Sequence, residues 1–330
     1  MFVDAVLTAG TGVAFGAALT ASRVHLPSVI VNQMALKDFR MMQVFSVAMG
    51  SSAAIMLLLE KSGILKRPLR ANAPLGWFSQ YDGNIVGGMM VGLGMTLSGA
   101  CPGTVLVQLA QGIPSARAAF VGCLLGGMTY VRFHKSFKRP PPDGCQPCKE
   151  HISERTKIPE IALYTTLGLM VAGVVTFFDI EGKSAVLSPV VGGLLIGAVQ
   201  AASLLLLGSP LGVSTVYEHI GQYICAATGY GKCGSPAWPP KTILTALGII
   251  TGSIALTNYV DLPAPGKAIQ IPFVQALIGG WVMAFGARTA GGCTSGHGLS
   301  GLSAMSFSSL ITVGSMFAAG ILSQQILMRL

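Results

Sequence analysis

Charged residues are scarce in this chain of 330 residues, and their scarcity limits what the protein can be. Asp, Glu, Lys and Arg make up 10% of the sequence, whereas a soluble domain has about 25%. A soluble protein of this length needs a charged shell, which this sequence cannot supply. Because 52% of the residues are hydrophobic, the chain is not disordered either. The composition therefore excludes an ordinary cytosolic enzyme and indicates a protein of the lipid bilayer.

Aromatic residues are also few, at 7%, while glycine is abundant, with 43 residues. Small residues let membrane helices approach one another closely, so this balance favours a tightly packed helical bundle. The 21 basic residues exceed the 12 acidic ones, but they lie in loops between apolar runs and form no single face. That distribution argues against nucleic-acid binding and is typical of the positive-inside rule. The seven cysteines are an odd number, so they cannot all pair within the chain.

Runs without charge show where the chain crosses the bilayer. A spanning helix needs about 20 residues, which the runs 41–59, 161–178 and 242–260 supply once each. The runs 83–116, 184–217 and 289–328 are too long for one helix. Glycine interrupts all three, within residues 98–103, 208–212 and 291–296, and the first two segments also contain a proline. Irregular backbone at membrane depth is tolerated only inside protein or against a wet cavity, so we predict interrupted helices around a central site.

An internal repeat relates the two halves of the chain. A shift of 192 residues superimposes 86–103 on 278–295, and five identities result, among them Cys101 with Cys293. A shift of 181 matches Gly12 and Ser22 with Gly193 and Ser203. The loop before the first cysteine segment carries four basic residues, whereas its counterpart carries only Lys267, which favours opposite orientations.

These patterns predict an all-α polytopic membrane protein. Two inverted repeats would place broken or re-entrant helices at the membrane centre, with about nine spans. The predicted units are a first repeat at 1–133, a cytoplasmic loop at 134–160, a linking helix and short loop at 161–183, and a second repeat at 184–330. Within these, the cytoplasmic loop contains a lone Cys145–Cys148 pair, and a disulfide between Cys225 and Cys233 is one option.

The interrupted segments favour an anion as the ligand. A half-helix that ends at mid-depth leaves unpaired N–H groups and a partial positive charge at its N-terminus. A thiol is a soft, polarizable group, which suits a sulfur-bearing anion. Neither cysteine segment contains Asp or Glu, and this argues against a cation site. The candidate substrate-binding residues are Ser22, Ser98, Gly99, Cys101, Gly103, Thr104, Arg288, Gly291, Gly292, Cys293, Thr294, Ser295, Gly296 and His297.

The segments Leu97–Gly103 and Ala290–Gly298 resemble the motifs of the YeeE/YedE-like sulfur transport family. The resemblance covers nearly the whole chain. It implies an hourglass of inverted repeats and uptake of thiosulfate, which motif thiols at Cys101 and Cys293 would pass along. It also implies a cytoplasmic sulfurtransferase as a partner. The family commonly has another cysteine in its first interrupted segment, where this chain has Ser22 as a possible replacement.

Several alternatives stay open at this point. The substrate of such a permease is thiosulfate or another sulfur or selenium anion, because all would use the same donors. A membrane thiol–disulfide oxidoreductase would instead need two cysteines close together. A channel for neutral solutes would leave the paired thiols without a role. The motif cysteines and His297 also fit buried structural residues. We predict no enzyme activity, metal or cofactor, and no Walker motif is present.

Overall fold

A computed structural model describes residues 2–139, 147–178, 186–228, 241–262 and 269–329. Within these ranges every regular element is helical, with thirteen α-helices and one π-helix. The α-helices are α1 (Phe2–Ala21), α2 (Pro27–Met34), α3 (Arg40–Lys61), α4 (Asp82–Ser98), α5 (Thr104–Ala110), α6 (Pro114–Phe137), α7 (Ile152–Thr156), α8 (Glu160–Phe177), α9 (Pro189–Leu207), α10 (Thr215–Thr228), α11 (Lys241–Tyr259), α12 (Phe273–Thr289) and α13 (Phe307–Leu327). The π-helix (Thr294–Gly301) lies between α12 and α13.

Six of these helices are long and apolar enough to cross a bilayer: α1, α3, α8, α9, α11 and α13. The remaining long helices, α4, α6 and α12, have 17 to 24 residues. Helix α8 packs on α3 and has no buried residue among those described, so its surroundings in the bilayer are chiefly lipid. The prediction of an all-helical, polytopic membrane protein agrees with this architecture.

The three over-long apolar runs are broken where glycine and proline predict it. Helix α4 ends before Gly99, α9 ends before Gly208, and the chain turns at Gly291 two residues after α12. All three glycines are left-handed, with φ of 61°, 63° and 78°. Residues with a Cβ rarely adopt this conformation, and so glycine both ends the helix and turns the chain.

Glycine also lets the central helices touch. Helices α4 and α12 run antiparallel, because Gly87 lies against Gly286 whereas Gly94 lies against Gly279. A Cβ on Gly94 would come within 2.6 Å of the Gly279 carbonyl oxygen, closer than a side chain can approach. Helices α1 and α11 are parallel instead, since successive contacts advance together along both. The Gly99 break therefore lies near the start of α12 and the Gly291 break near the start of α4, at opposite ends of the α4 and α12 pair.

One end of the bundle, which we name the basic face, is formed by the segments 62–81 and 147–159. Part of the predicted 134–160 loop is ordered protein there, because α6 continues to Phe137 and Ile152 is buried. The Ile152 N–H donates to the Met305 carbonyl oxygen at 2.9 Å, which ties the segment to the end of the π-helix. Cys145 and Cys233 lie outside the described residues, whereas Cys225 is disulfide-bonded.

Candidate functional site

A cavity of about 620 Å³ opens near the basic face, and we name it the basic cavity. The loop before α4, the turn after α9, the start of α11 and the turn after α12 all line it. Three of its lining residues are basic: Arg70, Lys241 and Arg288. Arg288 is paired with Glu218, its Nε 2.5 Å from a carboxylate oxygen. No acidic side chain lines the cavity among the described residues, so its net charge is positive.

Arg70 reaches across the chain into the second cysteine segment. Its Nη1 donates to the Gly291 carbonyl oxygen at 3.3 Å. A Cβ built on Gly296 would lie 3.2 Å from Nη2, which shows that the guanidinium lies directly over this backbone. The pKa of Arg70 is lowered from its ordinary value, chiefly by burial and also by the like charge of Arg288. The nearby Cys293 acts in the opposite direction. Since a guanidinium stays protonated in proteins, Arg70 supplies a fixed positive charge at this point.

Cys293 lies directly behind the lining of the basic cavity and is 2% exposed. The backbone N–H of Gly296 and the backbone and hydroxyl of Ser214 lie near enough to its sulfur to stabilise negative charge there. The Ser295 hydroxyl lies 3.2 Å from the same sulfur. Ser214 precedes α10 and Cys293 precedes the π-helix, so two helix N-termini face this thiol. Such a set of donors stabilises negative charge or electron-rich sulfur.

Cys101 occupies the corresponding turn of the first cysteine segment. The Thr104 N–H and hydroxyl each lie 3.4 Å from the Cys101 sulfur. The Thr104 hydroxyl also accepts from the Cys101 N–H at 2.7 Å, so it holds the turn closed. A Cβ on Gly103 would lie 4.0 Å from the same sulfur, at ordinary van der Waals distance. One residue, Thr104, therefore supplies both donors that face this thiol.

Tyr217 connects the two cysteine segments. It is fully buried and lies near enough to interact electrostatically with Cys101, Cys123 and Cys293. Its hydroxyl donates to the Pro102 carbonyl oxygen at 2.5 Å, directly after Cys101. The phenol is thus bonded to the first cysteine turn, and both motif thiols and the buried Cys123 of α6 lie in its electrostatic surroundings.

A second cavity, of about 340 Å³, lies at the opposite end of the bundle and we name it the outer cavity. Pro27 and Ile271 line it, and both touch the position that a Cβ on Gly99 would occupy. Gln108 closes this region, since its amide donates to the carbonyl oxygens of Gly99 and His25. The Gly99 turn therefore stands between the outer cavity and Cys101.

Not all of the predicted site residues meet at the cavities. Arg288, Gly291, Gly292 and Gly296 line the basic cavity, as their motif suggests. Each ring nitrogen of His297 already has a hydrogen-bond partner. Nδ1 contacts the Ser309 hydroxyl at 2.8 Å, and Nε2 contacts the Ala290 carbonyl oxygen at 3.0 Å. That arrangement is the expected bonding of a buried structural histidine.

Three other predicted hydroxyl donors point away from the thiols. Ser22 donates to Ala18 within α1 and lies against Gly192 of α9. Ser98 donates to the Gly94 carbonyl oxygen at 2.7 Å. Thr294 lines a separate apolar cavity. Sequence reasoning missed Arg70, Ser214 and Tyr217, although the Pro210 and Gly212 break was a signal for the turn that holds Ser214.

Comparisons with known proteins find matches that cover most of this chain. A family model described as sulphur transport matches residues 21–322. The chain is 25% identical over 323 residues to a protein of Spirochaeta thermophila named thiosulfate transporter TsuA, across 90% of this chain and 91% of that protein. It is 26% identical over 132 residues to a probable transporter of Xylella fastidiosa, across 40% of this chain and 87% of that protein.

Proposed function

The chain belongs to the sulphur transport family and is a multi-pass membrane protein, and on that premise we propose that it conducts thiosulfate across the bilayer. The Spirochaeta thermophila relative is named as a thiosulfate transporter, which supports this choice of anion. Other sulfur or selenium anions of similar size share its hydrogen-bonding chemistry. They are the alternatives that a competition assay separates.

One observation carries the proposal. Cys293 combines a soft sulfur with the Ser295 hydroxyl 3.2 Å from it, and it lies behind a cavity whose fixed charge is positive. Thiosulfate has terminal oxygens that accept hydrogen bonds and a terminal sulfur that accepts from a thiol. Donors already in place cost no reorganisation when the anion arrives. The basic cavity draws the anion in, and the thiol contacts distinguish it from sulfate.

The proposed route joins the two cavities. An anion entering the outer cavity passes the Gly99 turn to Cys101, moves past Tyr217 to Cys293, and leaves through the basic cavity. Each thiol offers a weak donor, so the anion is held loosely enough to move on. Thr104 and Ser295 hold the two thiols in position. The Gly296 N–H and Arg70 act as further donors to the anion when it is at Cys293.

The sidedness follows from the charges of the loops. The basic face carries Lys66, Arg67 and Arg70, with Lys61 directly before it at the end of α3, and the positive-inside rule assigns such loops to the cytoplasm. Inverted repeats are supported by the antiparallel contact of α4 with α12, whose sequences match in the repeat. With α4, α6 and α12 added to the six apolar helices, the proposed number of spans is nine. In the cytoplasm, a sulfurtransferase would consume the anion and keep the flow inward.

The test is uptake of ³⁵S-thiosulfate into proteoliposomes that contain the purified protein. We expect saturable uptake that exceeds that of protein-free liposomes and that excess unlabelled thiosulfate abolishes. Unlabelled sulfate at the same concentration should compete weakly, because it has no terminal sulfur for the thiols. Uptake that sulfate suppresses as strongly as thiosulfate would contradict the proposed role of the thiols in selection.

A further inference from the structure

The last turns of helix α6 and the loop beside them, at the basic face, carry a surface that we name the α6 patch. It consists of four exposed basic residues and two exposed aromatic residues, namely Arg132, Lys135, Lys138, Arg139, Trp77 and Phe78. None of the six lines the basic cavity or the outer cavity, so the α6 patch lies apart from the proposed route.

The four positive charges of the α6 patch are not paired within the part of the chain that the structure describes. None of them forms a salt bridge with a described residue. The acidic residue of the neighbouring loop, Asp82, is fully buried, and its carboxylate accepts hydrogen bonds from the backbone N–H groups of Leu75 and Trp77. Its charge is therefore turned inward, and the patch presents its own positive charge to whatever lies outside the protein.

Hydrogen bonds hold the aromatic residues of the α6 patch in an exposed position. Trp77 and Phe78 are 47% and 65% exposed. The Trp77 indole N–H donates to the Phe137 carbonyl oxygen at 2.8 Å, and the Arg139 N–H donates to the Leu75 carbonyl oxygen at 2.8 Å. These bonds fix the loop against the end of α6, with Trp77 beside the basic residues. Exposed aromatic rings next to basic residues are typical of the boundary between membrane and water.

The outward face of α6 continues the patch into the apolar depth of the bilayer. Val121, Leu125 and Arg132 share one side of this helix, because intervals of four and seven residues return to the same side. Val121 and Leu125 are 46% and 43% exposed, and Arg132 follows Leu125 by about 10 Å along the helix axis. An exposed apolar stripe that ends in positive charge matches the order of an acyl chain and a negative headgroup.

We propose that the α6 patch binds an anionic phospholipid of the membrane. The headgroup phosphate pairs with Arg132 and Lys135, one acyl chain follows Leu125 and Val121, and Trp77 packs beside the glycerol region. A zwitterionic headgroup gains less, because its own cation lies beside the phosphate. An acidic soluble protein would match the charges but not the apolar stripe below them. The lipid site rests on the proposed span of α6 and is independent of the transported anion.

The experiment is quenching of Trp77 fluorescence by brominated phospholipids in reconstituted bilayers. The chain has three tryptophans, so Trp238→Phe combined with Trp281→Phe leaves Trp77 as the reporter in this parent variant. The probes are phosphatidylglycerol and phosphatidylcholine with identical acyl chains, brominated at the same positions near the headgroup. The quenching curves give the binding constant of phosphatidylglycerol relative to phosphatidylcholine. We expect a ratio of about five, the factor for one basic residue near an anionic surface.

Charge variants identify the basic residues of the α6 patch as the source of this preference. Arg132→Gln combined with Lys135→Gln should bring the ratio close to one. Lys61→Gln combined with Lys66→Gln is the matched control and should keep the ratio. It removes two exposed charges near the end of α3, which packs on α8 and α9, whereas α6 packs on α10 and α12.

Native mass spectrometry makes the same comparison on the chain with all three tryptophans, so the outcome does not depend on their replacement. In an equimolar mixture of the two lipids, the wild type should retain more phosphatidylglycerol than phosphatidylcholine, and the patch variant should lose this difference. Equal binding of the two lipids would overturn the proposal and leave an acidic soluble protein as the occupant of the patch. A preference that survives in the patch variant, or that the control variant lowers equally, would also overturn it.

Discussion

Replacing Arg70 with glutamine tests the electrostatic part of the route. Arg70 is the basic residue that contacts the backbone of the second cysteine segment, through the Gly291 carbonyl oxygen. Arg288, the other arginine of the basic cavity, already has Glu218 as its partner. Arg70→Gln therefore removes a positive charge that the cavity presents to the anion while keeping a polar side chain of similar length.

The size of the effect follows from the contact. A Cβ on Gly296 would lie 3.2 Å from the Arg70 Nη2, so an anion oxygen over this glycine is within hydrogen-bond distance of the guanidinium. A hydrogen bond to a charged group contributes about 1.5–3 kcal/mol, which is about 10- to 150-fold in affinity. Glutamine retains one donor, so we expect the lower end: a half-saturation concentration raised about tenfold.

The assay is the concentration dependence of thiosulfate uptake by reconstituted protein. Arg70→Lys keeps the charge but loses the fork geometry, so its half-saturation concentration should lie between those of the wild type and Arg70→Gln. Lys66→Gln is the matched control: this exposed residue of the same loop does not line the basic cavity, so uptake should change less than about twofold. Unaltered half-saturation in Arg70→Gln would refute the assignment of Arg70 to the route.

Three further predictions concern stability and positioning. Burial and a neighbouring guanidinium lower the pKa of His151, so the folded state binds fewer protons than the unfolded state below about pH 6.5. Stability should then fall on acidification from pH 7, and thermal melts of His151→Gln should show a smaller fall. Gly280→Ala places a Cβ against the backbone of α6 and should lower the melting temperature, whereas Gly314→Ala meets open space and should raise helix stability by up to about 1 kcal/mol. Tyr217→Phe removes the hydroxyl that holds the first cysteine turn, so maximal uptake should fall several-fold while the purified protein stays monodisperse; unchanged uptake would exclude a positioning role.

The helix breaks were predictable because their causes are local. A charge-free run longer than the bilayer is thick must be interrupted. A glycine in the left-handed conformation interrupts the helix at the lowest conformational free-energy cost. Gly99, Gly208 and Gly291 all follow this rule. The paired motifs around Cys101 and Cys293 were readable for the same reason, since each lies within one short segment.

Residues that act over long sequence separations were not predictable. Arg70 meets Gly291 across 221 positions, and nothing in its loop distinguishes it from Lys66 or Arg67. Tyr217 reads as one aromatic residue in an apolar run, and only tertiary contacts bring it to the thiols.

The most direct test of the central claim compares thiosulfate uptake by Cys293→Ala with that of the wild type. Cys148→Ala is the matched control, because Cys148 lies in the segment at the basic face and lines neither cavity of the proposed route. The account predicts that Cys293→Ala is folded and inserted yet loses most uptake, whereas Cys148→Ala keeps it. Wild-type uptake by Cys293→Ala would contradict a route that passes through this thiol.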